Sequence, residues 1–261
     1  MEIRDKHIVV TGGAGGIGRA LVARFIQEGA RAVVVADVDI DGASAVADEF
    51  GASATTLDAG SEDSVSALID FATDRNGPID VYFSNAGVGG PAAGPETPDS
   101  EWDRLWRIHV MSHVWASRIL VPRMRAAGGG YLLNTSSAAG LLIQPSAMAY
   151  TVTKHAAVSV AEWLSMSYHQ YGIRVSCVCP QAVQTRLLDE AMGQTEGASQ
   201  VVAAAGVLQP EDVADAVIEG MREERLLILP HKDVADRFVL RATDHEAWLR
   251  SVRTLVEGGA A

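Results

Sequence analysis

Short apolar runs alternate with longer helical patterns along almost the whole chain. HIVVT (7–11), RAVVVAD (31–37), ASATTLD (52–58), IDVYFSN (79–85), YLLNTSS (131–137), IRVSCVCP (173–180) and RLLILP (225–230) read as strands. Most are continuously apolar rather than alternating, which is the mark of strands buried on both faces of a parallel sheet. Helical periodicity fills the intervals at 16–29, 41–50, 61–76, 99–127, 149–171 and 210–224. Strand–helix–strand repetition predicts right-handed crossovers and a doubly wound α/β fold with helices on both faces of about seven strands. Beyond the last strand, Val234, Phe238, Trp248, Val252 and Leu255 predict an amphipathic helical tail over 231–257, packed on its own subunit. No Pro/Ser-rich linker divides residues 1–261, so one domain is expected. GVGGPAAGPETP (87–98) follows a strand end and reads as an active-site loop rather than a boundary.

Composition narrows the partners. The 261 residues carry a formal net charge of −12, which repels phosphate backbones and argues against nucleic acid. A small neutral or apolar molecule fits better. No window reaches the roughly 18 apolar residues of a membrane span, and the N-terminus lacks a signal peptide's apolar stretch and cleavage site. Cys177 and Cys179 share one face of a strand and read as small buried hydrophobes, with no His or Cys cluster to make them a metal or redox pair. A reducing, cytoplasmic setting is expected.

Chemistry enters with HIVVTGGAGGIGRALVARFIQEGA, a strand, a glycine-rich turn and a helix. Gly13, Gly15 and Gly18 fit G-x-G-x-x-G, and Gly12, Gly16 and Gly18 fit a second spacing. Such a turn lets backbone approach a pyrophosphate at a helix N-terminus. Asp37 follows nineteen residues after Gly18, at the end of the second strand. A carboxylate there accepts hydrogen bonds from both ribose hydroxyls and repels a 2′-phosphate. Val38 brings no basic residue, so NAD is expected over NADP. Arg19 reads as solvated helix surface. Asp58 is read either as an acceptor for the adenine amino group or as a helix N-cap, with Ser61 its competitor for the cap. SNAG (84–87) leaves room for a ribose beside the backbone.

NTSSAAGLLIQPSAMAYTVTK (134–154) places Ser137 thirteen residues before Tyr150, and Lys154 four after it. A free tyrosine has a pKa near 10 and is a poor base at neutral pH. A lysine one helical turn away favours the phenolate.

TGGAGGIG (11–18), NAG (85–87), SS (136–137), YTVTK (150–154) and CPQAVQT (179–185) together resemble the short-chain dehydrogenase/reductase family over residues 5 to about 225. The resemblance implies a single-domain Rossmann fold and reversible hydride transfer between an alcohol carbon and nicotinamide. It implies Tyr150 as general acid/base, Lys154 as its electrostatic partner, and Ser137, rather than Ser136, as the hydroxyl that holds the substrate oxygen. It further implies NAD contacts from Gly12, Gly15, Gly16, Ile17, Gly18, Asp37, Val38, Asp58, Ala59, Asn85, Ala86, Gly87, Tyr150, Lys154, Pro180, Val183 and Thr185. Gln181 stands where the family usually has glycine. His109 stands where the family carries asparagine, and is expected either in a proton-relay or structural role near Lys154 or as a satisfied core histidine, titrating near neutrality with its neutral form favoured by Lys154 and the oxidised nicotinamide. The tail departs from the family's glycine-rich ending and puts its usual tetramer in doubt. A homodimer or homotetramer is expected, through helices carrying Trp102, Trp106, Trp115 and Trp163.

The pocket is expected to be lined by Val88, Pro91, Leu141, Leu142, Ile143, Met148, Val183, Leu187, Leu188 and Met192, which suits a neutral, hydrophobic secondary alcohol or ketone. Arg186 is expected at the loop surface. Gly193, Gly197 and the small polar residues between them suggest a lid. The rival reading is a non-catalytic NAD-binding sensor or scaffold of the same fold. A sugar epimerase or dehydratase would need a larger C-terminal substrate domain.

Overall fold

The computed structural model describes residues 1–192 and 206–257. In chain order it contains β1 (His7–Thr11), α1 (Gly16–Gln27), β2 (Ala32–Asp37), α2 (Ile40–Phe50), β3 (Ser53–Thr56), α3 (Glu62–Asn76), β4 (Val81–Ser84), α4 (Asp99–Trp106), α5 (Ser112–Ala126), β5 (Gly130–Thr135), α6 (Met148–Tyr168), β6 (Ile173–Val178), α7 (Arg186–Met192), α8 (Pro210–Arg222), β7 (Leu227–Ile228), α9 (Lys232–Thr243) and α10 (His245–Glu257). The seven strands form one sheet in the order β3-β2-β1-β4-β5-β6-β7, and every pairing is parallel. This is the Rossmann order, with its switch point between β1 and β4.

Each strand alternates its side chains between two apolar layers. Val9 and Tyr82 face a cluster that contains Leu68 and Ile69 of α3, Trp115 and Leu120 of α5, and Ala161 of α6. Val10 and Phe83 face a second cluster with Leu21 and Phe25 of α1, Val46 of α2 and Val217 of α8. Burial on both sides explains why the strands read as unbroken apolar runs. Local signals set the helix ends. Ser61 accepts from the Ser64 N–H at the start of α3, ahead of Glu62 and Asp63. Gly51 ends α2 at φ +70°, a conformation that costs most other residues energy.

Three expectations are refined. The helix expected over 99–127 is interrupted by a π turn at Arg107–Met111, which carries His109 and joins α4 to α5. The tail is two helices broken at Asp244, and Val234 and Trp248 bury it against its own chain. Helix α7 is an element the pattern did not show. The lid reading around Gly193 and Gly197 lies outside the described residues.

Candidate active site

The carboxyl ends of β1 and β4 diverge and are tied together by Thr11. Its hydroxyl donates to Phe83 O (3.2 Å) and accepts from the N–H groups of Asn85 (2.8 Å) and Ala86 (3.0 Å). The Asn85 amide donates to Thr11 O (3.0 Å) and Gly12 O (3.2 Å), and accepts from the Thr135 hydroxyl (3.1 Å). Three strand ends are thereby locked around one crevice. Thr11 and Thr135 lie within stretches singled out in the sequence, but the sequence assigns neither a role.

The glycine turn lies across this crevice. Gly12 has φ +66°, and a Cβ on Gly18 would stand 2.1 Å from Gly12 O, so both positions exclude side chains. A Cβ on Gly15 would meet no atom within 4 Å. That open face fronts the N-terminus of α1, whose first N–H groups have no helical partner. Thr185 closes over the turn from the loop after β6, where a Cβ on Gly16 would touch its methyl at 2.9 Å. Asp37 accepts from Ala14 N–H (3.0 Å) and Asp39 N–H (3.1 Å), one bond to each oxygen. Each carboxylate oxygen retains a second acceptor site. Val38 is exposed, and Arg19 pairs with Glu49 (2.7 Å) on the surface, as its helical position suggested. Asp58 is not the α3 cap, because Ser61 is; its carboxylate turns back onto Gly60 N–H (2.8 Å) and is exposed beside buried Ala59. A cradle of this shape, with an acidic group at its far end, fits a dinucleotide.

Beyond β5, Ser137, Tyr150 and Lys154 converge. Ser137 caps the short 3₁₀ turn Ala138–Gly140, accepting from Ala139 N–H at 3.1 Å, with its hydroxyl 3.4 Å from Pro180 O. Ser136 points elsewhere and donates to Lys154 O (2.8 Å) in the core. A Cβ on Gly140 would lie 2.5 Å from Lys154 O, so this turn sits directly on α6. Lys154 is 4% exposed, and its Nζ lies 5.6 Å from the centre of the Tyr150 ring and 3.4 Å from Thr135 O. Burial lowers its pKa from 10.5 to about 8. Burial raises the Tyr150 phenol above its usual 10, and the nearby Ser137 side chain pulls it partly back.

His109 joins this group through the π turn. Its Nε2 lies 2.9 Å from Val88 O and 3.3 Å from Val88 N, and its Nδ1 lies 3.0 Å from the Thr153 hydroxyl, which also reaches Ala149 O and Tyr150 O at 3.0 Å. Its ring meets Tyr150 edge-on at 5.5 Å. Gly87 lies between it and Lys154: a Cβ there would be 3.7 Å from Lys154 Nζ and 3.9 Å from the His109 ring. The placement near Lys154 and the preference for the neutral form are as expected, but the titration lies well below neutrality. Burial first, and then the Lys154 charge, push its pKa well below 6.5. Thr153 signalled nothing in sequence, and neither did His113, a buried neighbour one helical turn on, held at a pKa of about 3 by burial and Lys154.

The apolar rim is partly as expected. Ile143, Met148 and Leu187 are exposed, and Leu187 approaches Gly89. Leu141, Leu142 and Val183 are instead core residues, because the loops fold their apolar side chains inward. Arg186 extends into solvent beside Glu190 at 3.0 Å. The side chain of Met192 lies outside the described residues. Cys177 and Cys179 are buried thiols with Sγ atoms 3.9 Å apart. Among the described residues no cluster of His, Cys, Asp or Glu could hold a metal, and no helix is long and apolar enough to cross a membrane.

Residues 6–196 match the model of the short chain dehydrogenase family. The chain belongs to that family. Among short-chain dehydrogenases it is 34% identical to 1-deoxy-11-beta-hydroxypentalenate dehydrogenase of Streptomyces exfoliatus, over 95% of this chain and 90% of the relative. It is 30% identical to (+)-borneol dehydrogenase 2 of Salvia officinalis, over 99% of this chain and 90% of the relative. A short chain dehydrogenase/reductase of Burkholderia phymatum, crystallised in complex with NAD, superposes with a TM-score of 0.85 at 30% identity, over 95% of this chain and 96% of the other. The chain is therefore an oxidoreductase of this family, built on the same fold.

Proposed function

We propose that the protein is an NAD-dependent dehydrogenase acting on a hydrophobic secondary alcohol, and on the matching ketone in reverse. The observation that carries this reading is the convergence of Ser137, Tyr150 and Lys154 beside the Gly12–Gly18 cradle. When bound, NAD supplies the nicotinamide that accepts hydride from the carbinol carbon. The glycine turn holds its pyrophosphate, Asp37 its adenosine ribose, and Thr185 and the loop after β6 its nicotinamide end. Ser137 holds the substrate oxygen, and Tyr150 takes the hydroxyl proton in oxidation and returns it in reduction. Burial opposes the phenolate in the free chain and the Ser137 hydroxyl offsets part of that; the Lys154 ammonium, 5.6 Å from the ring centre, adds a charge that favours the phenolate. The exposed apolar rim of Ile143, Met148 and Leu187 suits an uncharged substrate, and the two relatives above are named for a hydroxypentalenate and for borneol. On this reading the working form is a homodimer or homotetramer.

A panel of hydrophobic secondary alcohols, followed by NADH absorbance, tests the reaction. Tyr150→Phe removes the proton-transfer group alone. Turnover should fall by about 100-fold or more while NADH binding by fluorescence stays near wild type. Activity retained within about tenfold, or ~1.4 kcal/mol of barrier, refutes the role of Tyr150.

A further inference from the structure

Two side chains of the C-terminal segment reach into the two loops that border Ser137. His231, at the start of α9, is 4% exposed. Its Nδ1 accepts from Gln181 N–H (3.2 Å), and its Nε2–H donates to Ala182 O (3.1 Å). One neutral tautomer satisfies both bonds. The residue before Gln181 is Pro180, whose carbonyl faces the Ser137 hydroxyl and accepts from Ala138 N–H at 2.8 Å. His231 therefore fixes the backbone next to the Ser137 contact. The Gln181 side-chain oxygen is itself buried without a partner among the described residues. An unpaired buried acceptor is costly, so it is a group that gains from a donor on a bound ligand.

Arg241 grips the other loop. Its guanidinium donates to Leu141 O, to Leu142 O (3.2 Å) and to His155 Nε2 (2.8 Å), and it lies over the Trp248 ring at 5.0 Å. His155 follows Lys154 on α6, and its Nδ1–H donates to Thr151 O (2.9 Å), which leaves Nε2 free to accept. One arginine thus binds the chain just upstream of Ile143 and Met148 to the helix that carries Tyr150 and Lys154. Backing by α10, through Trp248, keeps the guanidinium from swinging to solvent.

We propose that His231 and Arg241 are positioning residues that hold the two walls of the substrate pocket, residues 180–183 and 141–148, in register with Ser137 and Tyr150, and so decide which alcohols are accepted. This rests on the dehydrogenase reading above, but it concerns a part of the chain outside the family motifs. Neither residue touches the reacting atoms. Their loss should weaken and broaden substrate recognition more than it slows the chemical step.

The test compares Arg241→Met and His231→Leu with wild type, using borneol and cyclohexanol as probes. Both variants should raise KM by about tenfold or more with kcat changed less than about threefold, and should shift the borneol-to-cyclohexanol preference. A residue that only supports folding would lower the amount of active enzyme and leave KM and preference alone. His231→Asn keeps an acceptor for Gln181 N–H and should recover most of the KM. Arg241→Lys, whose ammonium lacks the planar guanidinium that lies over Trp248, should recover less. KM values and preference within about twofold of wild type in both variants overturn the proposal. If wild type oxidises neither alcohol, the reaction assigned above fails separately. Amide hydrogen exchange of residues 138–144 and 180–185 then decides: faster exchange in the variants supports the two grips, and unchanged exchange overturns them.

Discussion

Lys154 shows the cost of a site at the scale of one residue. Its ordinary pKa is 10.5, and burial lowers it to about 8 in the folded chain. Below pH 8 the ammonium is charged in both states, and folding bears the full penalty of burying it. Between about 8 and 10.5 the folded lysine is already neutral while the unfolded one still holds its proton, so stability rises with pH. Above that window the penalty is gone. Lys154→Met should therefore melt higher than wild type at neutral pH without cofactor, by up to about 3 kcal/mol, with the gap closing toward pH 10. Calorimetry across pH checks this, and a lower melting point at neutral pH contradicts it. On the proposed reading, Asp37 works in the opposite sense, by excluding a ligand. A 2′-phosphate about 4 Å from its carboxylate would be repelled by ~1–4 kcal/mol, so kcat/KM with NAD should exceed that with NADP by about tenfold or more. Asp37→Asn should narrow the ratio, because the charge goes while an acceptor for backbone N–H remains. Equal use of both cofactors by wild type would falsify the assignment.

At the scale of elements, His109 belongs to a π turn, and that irregularity aims it. The extra residue in the turn points its ring at Val88 O and Thr153, both beside the site. His109→Leu loses both bonds and should lower kcat/KM by about tenfold, while His109→Asn should keep most activity. The pH–rate profile of wild type should show no limb from His109 near neutrality, since its pKa lies well below 6.5. A limb near pH 6.5 that vanishes in His109→Asn would contradict this. The sequence made some of this architecture legible and hid the rest for physical reasons. All seven strands and the six main helices were readable, because burial on both sheet faces writes long apolar runs. The glycine turn was readable because a 2.1 Å approach at Gly18 tolerates no side chain. The π turn was not, since one inserted residue barely disturbs a helical period. The grips of His231 and Arg241 were invisible because each joins residues about 50 and 100 positions apart. Leu141 and Leu142 were assigned to the pocket because apolar loop residues look alike in sequence whether they face a ligand or the core.

At the scale of the whole molecule, α6 carries the site on one side and an unpartnered apolar stripe on the other. Val152, Ser159, Trp163 and Met166 fall within one narrow sector of the helix, with Val152 41%, Trp163 56% and Met166 74% exposed. Trp115 is core, so the four tryptophans expected at an interface divide between interior and surface. A net charge of −12 keeps copies apart at long range, yet exposed Val152, Trp163 and Met166 on one face of a helix mark a contact surface. A twofold contact is the simplest closure, because it lets one stripe cover the same stripe on a second copy. Specific interfaces bury ~1,200–2,000 Å² in total, which asks for a whole helix face on each side rather than one tryptophan. The same helix holds Tyr150 and Lys154, so pairing would also stiffen the site. Light scattering at micromolar concentration should give a dimer or larger. Trp163→Glu with Met166→Glu places four carboxylates across the contact and should shift the mass toward monomer, more strongly at low salt. Activity should fall with the mass, because α6 loses its support. A wild-type monomer, or a double variant with unchanged mass, would show that this stripe faces solvent in the working protein.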